Sequence, residues 1–127
     1  NYKDSKMPTL STAARNAAVD AIAALLDGGD IRFETSANNE VALCTFAGTA
    51  FGAAASGTAT AAAIGSDADA AGGTIDHALL RDSVAATVIT ATCSATGGGG
   101  DIELTSLVIG AGDTVAVNSM TLTQPAS

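Results

Sequence analysis

The chain contains a single histidine, and that residue is its first candidate for chemistry. His77 directly follows Asp76, a pairing in which a carboxylate can orient an imidazole that acts as a general base. Such a base needs a nucleophile, and no serine or cysteine lies in a signature such as Gly-x-Ser-x-Gly. We therefore interpret His77 as a packed or surface residue of a strand. We predict that the chain is not an enzyme.

Three acidic or glycine-rich motifs point toward binding sites without completing one. Asp67 and Asp69 have calcium-loop spacing, but the further oxygen ligands and the final glutamate of an EF-hand are missing. Asp101 and Glu103 fall on one strand face about 6.6 Å apart, as a glycosidase pair would, yet a polar outer face also accounts for them. The run Gly97–Gly100 is not followed by the Lys-Ser/Thr of a phosphate loop. We expect a solvated acidic loop at Asp67 and Asp69, a polar strand face at Asp101 and Glu103, and a flexible loop at Gly97–Gly100, with no metal and no cofactor.

The two cysteines allow two interpretations. Cys44 and Cys93 each lie inside a predicted strand, so they can be bridged between packed strands or remain as two buried, free thiols. A zinc site is excluded, because His77 is the only histidine and there is no Cys-x-x-Cys. Residues 1–10 carry two lysines without a following apolar segment, so no secretory signal is predicted. We therefore expect reduced thiols.

Net charge and composition limit the classes of partner that this chain can bind. The net charge is −8, and the five cations form no patch, which disfavours nucleic acid and anionic membranes as partners. No apolar run reaches transmembrane length. Apolar residues make up 47% of the chain but aromatic residues only 3%, so much of the core is alanine, which buries little area. Either a partner subunit supplies further buried area, or this is an ordinary small sandwich built on isoleucine, valine and leucine.

One helix is predicted, over residues 11–27. Ser11 or Thr12 can cap its start, and Gly28 or Gly29 its end. Its apolar side chains recur at helical spacing, and Val19 and Leu26 widen the stripe. We expect that stripe to pack on a sheet; its members are Ala14, Ala18, Ala21, Ile22 and Leu25.

From residue 30 onward the period changes to two, which predicts about seven strands. A hairpin with an Asn38-Asn39 turn is expected first, and a second hairpin or a Greek-key corner is expected around the turn at residues 110–113. A β-bulge near residues 118–119 would reconcile a slip in the last strand. The fold class is thus mainly β, a β-sandwich or jelly roll with one N-terminal helix. We predict a polar arm at residues 1–10 and one domain at 11–127. The expected strands span residues 31–35, 41–46, 58–64, 74–80, 84–93, 101–109 and 114–123.

The order of these motifs resembles a family of small tailed-phage and prophage virion proteins, over residues 8–126. The segments that carry the resemblance are LSTAARNAAVDAIAALLDGG, TAFGAAASGTATAAAI, LLRDS, GG-DIEL and AGDTVAVNSMTLTQP. Similarity to head decoration (cement) proteins implies a structural role on the outer capsid surface, after assembly in the bacterial cytoplasm. The implied partners are the major capsid protein and further copies of this chain, as a trimer. The family offers no catalytic residues, and His77 stands where many members carry an aromatic.

The polar arm is the predicted contact with the capsid or with another copy, through Tyr2, Lys3, Lys6 and Pro8. The alternative function is a tail-associated or cell-surface adhesion module on the same sandwich. Glycan sites on such modules use exposed aromatic side chains. At least two of the four aromatics are expected to be buried by alternation, which weakens the adhesion interpretation; the four are Tyr2, Phe33, Phe46 and Phe51.

Overall fold

The computed structural model describes residues 8–126, which fold as a mainly β protein with one N-terminal helix, as predicted. Five strands form the main sheet, and the other four form two short ribbons. The elements are α1 (Thr12–Leu25), β1 (Asp30–Glu34), β2 (Glu40–Thr45), β3 (Thr58–Thr60), β4 (Gly73–Thr74), β5 (His77–Arg81), β6 (Thr87–Ala95), β7 (Ile102–Leu104), β8 (Val108–Ile109) and β9 (Thr121–Thr123).

The main sheet grows outward from the first hairpin, in the order β2-β1-β5-β6-β7. The predicted β1–β2 hairpin is confirmed: Asn38 has a positive φ of 66°, and the Thr35 N–H donates to the Asn39 carbonyl at 2.9 Å. Strand β5 lies on the other side of β1, antiparallel, with Ile31 opposite Leu80. The sequence pattern does not reveal this pairing, because 43 residues separate the ends of β1 and β5 that meet at Glu34 and His77.

The helix begins where the sequence predicted and ends two residues earlier. The Ser11 hydroxyl accepts a hydrogen bond from the Ala14 N–H at 3.1 Å, as an N-cap does. The last helical residue is Leu25, and the cap position is Leu26. Gly28 has a φ of 68°, so the left-handed residue expected after the helix is present, two positions beyond the cap.

The predicted buried face of the helix was partly right: Val19 and Leu26, which widen the predicted stripe, are buried, but the centre of the stripe is not. Val19, Ala23 and Leu26 are the side chains that enter the core, whereas Ile22 and Leu25 are 38% and 56% exposed. The predicted stripe is therefore turned largely toward solvent. Alanine occurs on every side of this helix and distinguishes its faces only weakly, so apolar periodicity does not determine the orientation.

Polar contacts orient the helix instead. Arg15 Nε donates to the Gln124 carbonyl at 2.8 Å, and its Nη2 donates to the Ser56 carbonyl at 3.0 Å. Asn16 Oδ1 accepts a hydrogen bond from the Gly57 N–H at 2.8 Å. Backbone carbonyl and N–H groups that lose contact with water need hydrogen-bond partners in the protein. Arg15 and Asn16 provide them, and so the helix face that carries these two side chains is turned toward the β3–β9 ribbon.

Of the two alternatives predicted for the C-terminal segments, the hairpin was wrong. The predicted turn is formed, since the Asp113 N–H donates to the Gly110 carbonyl at 3.0 Å. The segments on its two sides do not pair with each other, however. Strand β7 pairs in parallel with β6, β8 pairs with β4, and β9 pairs with β3. The long strand expected at residues 114–123 is reduced to β9 and one isolated bridge between Val115 and Asp67.

The core lies between the main sheet and a second layer of α1, β3 and β9. All three phenylalanines are buried, and the rings of Phe46 and Phe51 are 5.8 Å apart. Burial is unevenly distributed: of the buried apolar residues in the described chain, only Ala91 and Val115 come from after residue 81. The closed half of the core therefore belongs to the helix and to β1, β2 and β5.

Candidate functional site

His77 lies in a row of charged side chains where β1 and β5 meet. Its Nε2 is 2.8 Å from Glu34 Oε1, and its Nδ1 is 2.9 Å from Asp76 Oδ2. Arg32 Nε lies 2.8 Å from the other Glu34 oxygen, an ion-pair contact without hydrogen-bond alignment. Glu34 is only 5% exposed, so its charge needs these two partners.

This geometry favours the protonated form of the imidazole. A neutral ring has one donor and one acceptor, whereas two carboxylates face two ring nitrogens. The hydrogen bond with Asp76 raises the pKa of His77, and the hydrogen bond with Glu34 adds to that rise. Both nitrogens are engaged, so neither has a lone pair available for a substrate proton. The cluster acts as an electrostatic clasp between β1 and β5.

Asp67 was predicted to lie in a solvated loop, but its carboxylate accepts hydrogen bonds from the backbone and has a structural role. Its Oδ2 accepts a hydrogen bond from the Leu43 N–H at 2.8 Å, on the edge strand β2. Its Oδ1 accepts a hydrogen bond from the Asp69 N–H at 3.0 Å. Its own backbone pairs with Val115 in both directions. Asp67 therefore joins the acidic loop to the sheet and to the C-terminal segment, while Asp69 is exposed.

Asp101 and Glu103 are likewise engaged with backbone. Asp101 Oδ2 accepts a hydrogen bond from the Thr92 N–H at 3.0 Å. The two oxygens of Glu103 accept hydrogen bonds from the N–H groups of Gly97 and Gly99, at 3.2 and 3.0 Å. Positive φ angles at both glycines allow the chain to turn back and place β7 parallel to β6. The predicted flexible glycine loop is thus held by a carboxylate.

The same use of carboxylates recurs across the described chain. A carboxylate that accepts a backbone N–H forms a charge-assisted hydrogen bond, which is stronger than a neutral one. Seven acidic side chains do so, and they account for much of the acidic excess: Asp20, Asp27, Asp67, Asp82, Asp101, Glu103 and Asp113.

Both cysteines are free thiols, which decides between the two interpretations left open by the sequence. Cys44 in β2 is fully buried, and its thiol lies 3.5 Å from the Val115 carbonyl. Cys93 in β6 is half-buried, less than expected. Burial raises the pKa of Cys44, and burial together with nearby Asp76 and Asp101 raises the pKa of Cys93 to about 11. Neither is an activated nucleophile.

A groove opens where the second layer fails to cover the end of the main sheet. One wall is β7 and the other is the segment from Ala116 to Thr121, and the space between them measures about 460 Å³. An adjoining space of about 330 Å³ extends it toward Leu80 and Ile89. Half-buried apolar side chains line the groove, and Asp101 and Glu103 lie at its rim; the apolar set is Ile102, Leu104, Val117, Met120 and Leu122.

Strand β7 adds an unpaired edge to this groove. It is the last strand of the sheet, and no other strand within residues 8–126 pairs with its outer side. The sequence did not predict this site. The phase slip after Val117 was the available signal, and it was interpreted as a bulge within one strand. It marks the point at which the chain leaves the sheet and forms the far wall of the groove.

Of the four predicted contact residues, one lies within the described chain. Pro8 is exposed, whereas Tyr2, Lys3 and Lys6 fall outside the described residues. The Leu10 N–H donates to the Ala126 carbonyl at 2.8 Å, so the arm joins the body beside the C-terminal segment. That junction is three residues beyond Thr123, which lines the adjoining part of the groove.

Within residues 8–126, no cluster of three or more histidine, cysteine or acidic residues has an arrangement that could hold a metal ion. The helix found there is too short to cross a membrane. Comparison of the chain with protein-family models, with curated proteins and with solved structures found no match.

Proposed function

We propose that this chain is a structural virion protein, a decoration or cement protein that binds the outer surface of a phage head. Its partners are the major capsid protein and further copies of itself. The observation that supports this most directly is the open groove in the second half of the fold. The half-buried apolar residues around it become more buried when a neighbouring copy covers them in an assembly on the shell.

The charge distribution supports a protein partner with a basic surface. All three arginines of the described chain are already engaged: Arg81 with Asp30 at 2.7 Å, Arg32 with Glu34, and Arg15 with loop carbonyls. The body therefore presents acidic groups to its surroundings. Complementary charge steers association and selects partners, so the proposed capsid contact is basic, and nucleic acid is not a partner.

The N-terminal segment supplies the opposite charge. Tyr2, Lys3, Lys6 and Pro8 form the proposed contact with the capsid or with another copy, on the polar arm that precedes the helix. The alternative, a tail-associated or adhesion module, has less support. Phe33, Phe46 and Phe51 are all packed in the core and do not form a glycan platform.

Co-sedimentation tests the proposal. Empty, expanded capsids assembled from the major capsid protein of the same genome are mixed with the purified chain and pelleted. The chain should pellet with expanded capsids and not with unexpanded ones, and should saturate at a fixed ratio of copies to capsid subunits. Deleting residues 1–9 should weaken binding at least tenfold while the far-UV spectrum stays unchanged, because Leu10 and its bond to Ala126 are retained.

Two outcomes oppose the proposal. If the full chain fails to pellet with expanded capsids at micromolar concentration, the decoration role is wrong. If it instead pellets with purified tails or binds a glycan array, the adhesion alternative replaces it. Wild-type affinity after the deletion would remove the arm from the capsid contact.

A further inference from the structure

We propose that the groove beside β7 receives the N-terminal segment, residues 1–7, of a neighbouring copy of this chain. The inference builds on the proposed homo-oligomer by assigning its contact. Four observations carry it: the shape of the groove, its open strand edge, the charge of its rim, and the position of the segment's attachment point.

The groove has a mixed lining of apolar and polar side chains, with the carboxylates of Asp101 and Glu103 among the polar ones. Its apolar lining includes Ile102, Leu104 and Met120, and its volume of about 460 Å³ accommodates a large side chain. Tyr2 is the one aromatic residue outside the described chain, whose three phenylalanines are all buried. A methionine beside an aromatic ring is a favourable contact, so Tyr2 suits the apolar lining of the groove.

Charge complementarity also favours residues 1–7 as the occupant of the groove. Asp101 and Glu103 place two carboxylates at the rim, and neither has a cationic partner in the described chain. The arginines of the body are engaged elsewhere, which leaves Lys3 and Lys6, on either side of Asp4, as the complementary cations of a segment whose side chains carry a small net positive charge. Copies with an acidic body repel one another unless basic residues mediate their contact.

The backbone of β7 provides a third contact. An extended segment can add to an exposed sheet edge through main-chain hydrogen bonds, while pockets beside the edge accept its side chains. Residues 1–7 have no glycine, and Pro8 lies just outside the part that would pair. Seven extended residues span about 23 Å, enough to leave the attachment point beside Ala126 and reach another molecule.

Donor and acceptor are different patches of one chain, so the contact is heterologous. Such a contact closes into a ring when its rotation permits, and otherwise forms an open chain. The ring of three predicted from the resemblance follows when each copy places its segment in the groove of the next. No two-fold symmetric surface is required.

Mixing two defective variants tests this arrangement. One variant lacks residues 1–7 and keeps its groove. The other keeps the segment and carries Ala116→Trp, which fills the groove from an exposed lining position. Measured by light scattering, the full chain should be trimeric and each variant alone monomeric. Their equimolar mixture should form a one-to-one dimer, because only one segment and one groove remain free.

Matched controls protect the result against misfolding. Ala37→Trp places the same bulk at an exposed alanine in the β1–β2 turn and should remain trimeric. Lys3→Glu with Lys6→Glu leaves the described body untouched and should weaken trimer formation at least tenfold. Far-UV spectra of all variants should match that of the full chain.

Three results overturn the inference. A monomeric full chain means that the segment occupies its own groove or none. A trimeric deletion variant means that the copies meet elsewhere. A mixture that stays monomeric removes the segment–groove contact. Each can occur while capsid binding persists, and capsid binding can fail while the trimer forms, so this inference and the proposed function are tested separately.

Discussion

The two halves of this protein bury their apolar side chains to different degrees. Up to Arg81, the helix and strands β1, β2 and β5 enclose Phe33, Ile31 and Leu26 with no measurable exposure. After residue 81, only Ala91 and Val115 of the described residues are buried, and several half-buried apolar side chains, Ile102, Leu104 and Met120 among them, line an open groove. Stability therefore comes mainly from the first half, whereas the second half presents the surface that we propose for assembly. In this proposal, folding and binding depend on different stretches of one short chain.

The sharpest test of this contrast compares two leucines. Leu80→Ala removes a side chain that is 2% exposed, and should lower the free energy of unfolding by about 3 kcal/mol, since it deletes buried surface and leaves a cavity. Leu104→Ala, in the half-buried groove wall, should cost about 1 kcal/mol. Urea denaturation of dilute protein measures both. Equal losses would mean that the two halves are equally closed.

The thiols report the same contrast by reactivity. Because the pKa of Cys93 is raised to about 11, its thiolate population at pH 8 is about 100-fold below that of a thiol with a pKa of 9.0. Its reaction with a thiol reagent should therefore be slower than that of such a thiol, by less than this factor because a thiolate of higher pKa is the stronger nucleophile. Cys44, which is fully buried, should react more slowly still. Stopped-flow measurements on Cys44→Ala and Cys93→Ala variants separate the two rates. Both thiols should titrate after unfolding without reductant, and a faster Cys44 would contradict the contrast.

The junction between the halves is held by Asp67. Asp67→Ala leaves the Leu43 N–H without its acceptor and should cost about 2 kcal/mol. Asp69→Ala is the matched control, because its side chain accepts no hydrogen bond within the described chain, and it should cost less than about 0.5 kcal/mol. Thermal or urea unfolding compares them. If the two variants lost similar amounts of unfolding free energy, the effect would come from the charge of the loop and not from the hydrogen bond to the Leu43 N–H.

The smallest expected effect belongs to the His77 clasp within the closed half. A folded-state pKa above 6.5 means that the clasp contributes its stability in full below pH 6.5 and loses it as the pH rises through the folded value. His77→Gln should therefore lose more stability at pH 5.5 than at pH 8.5. Because His77 is the only histidine, its NMR titration is unambiguous. A midpoint at or below 6.5, or no change with Glu34→Gln, would contradict the clasp.

Local signals were sufficient for local structure. The Ser11 cap, the β1–β2 hairpin and the turn at Gly110–Asp113 formed as predicted, because each depends on residues within a few positions of one another. Pairings between distant segments were not predictable in the same way. The partners of β7, β8 and β9 were misassigned, since a hairpin is only the default for consecutive strands.

The candidate carboxylates share a role that was not predicted. Asp67 was assigned to a solvated loop and Asp101 and Glu103 to an exposed strand face; the latter two are exposed, yet all three accept a hydrogen bond from a backbone N–H. The N–H groups on Thr92 and on the Gly97–Gly100 loop lie close enough in sequence for this to be anticipated. The Leu43 N–H lies 24 residues from Asp67, and only the fold brings them together.

The sequence by itself determined the mainly β class, the single helix and its N-cap, the acidic balance and the placement of the cysteines in strands, because period, caps and charge are properties of neighbouring residues. The tertiary structure alone decided which face of the alanine-rich helix is buried, which strands pair and where the groove opens. These depend on the hydrogen bonds of Arg15 and Asn16 and on the return of the chain at Gly97 and Gly99. Such choices are made by groups far apart in sequence, whose energies appear only once the chain has folded.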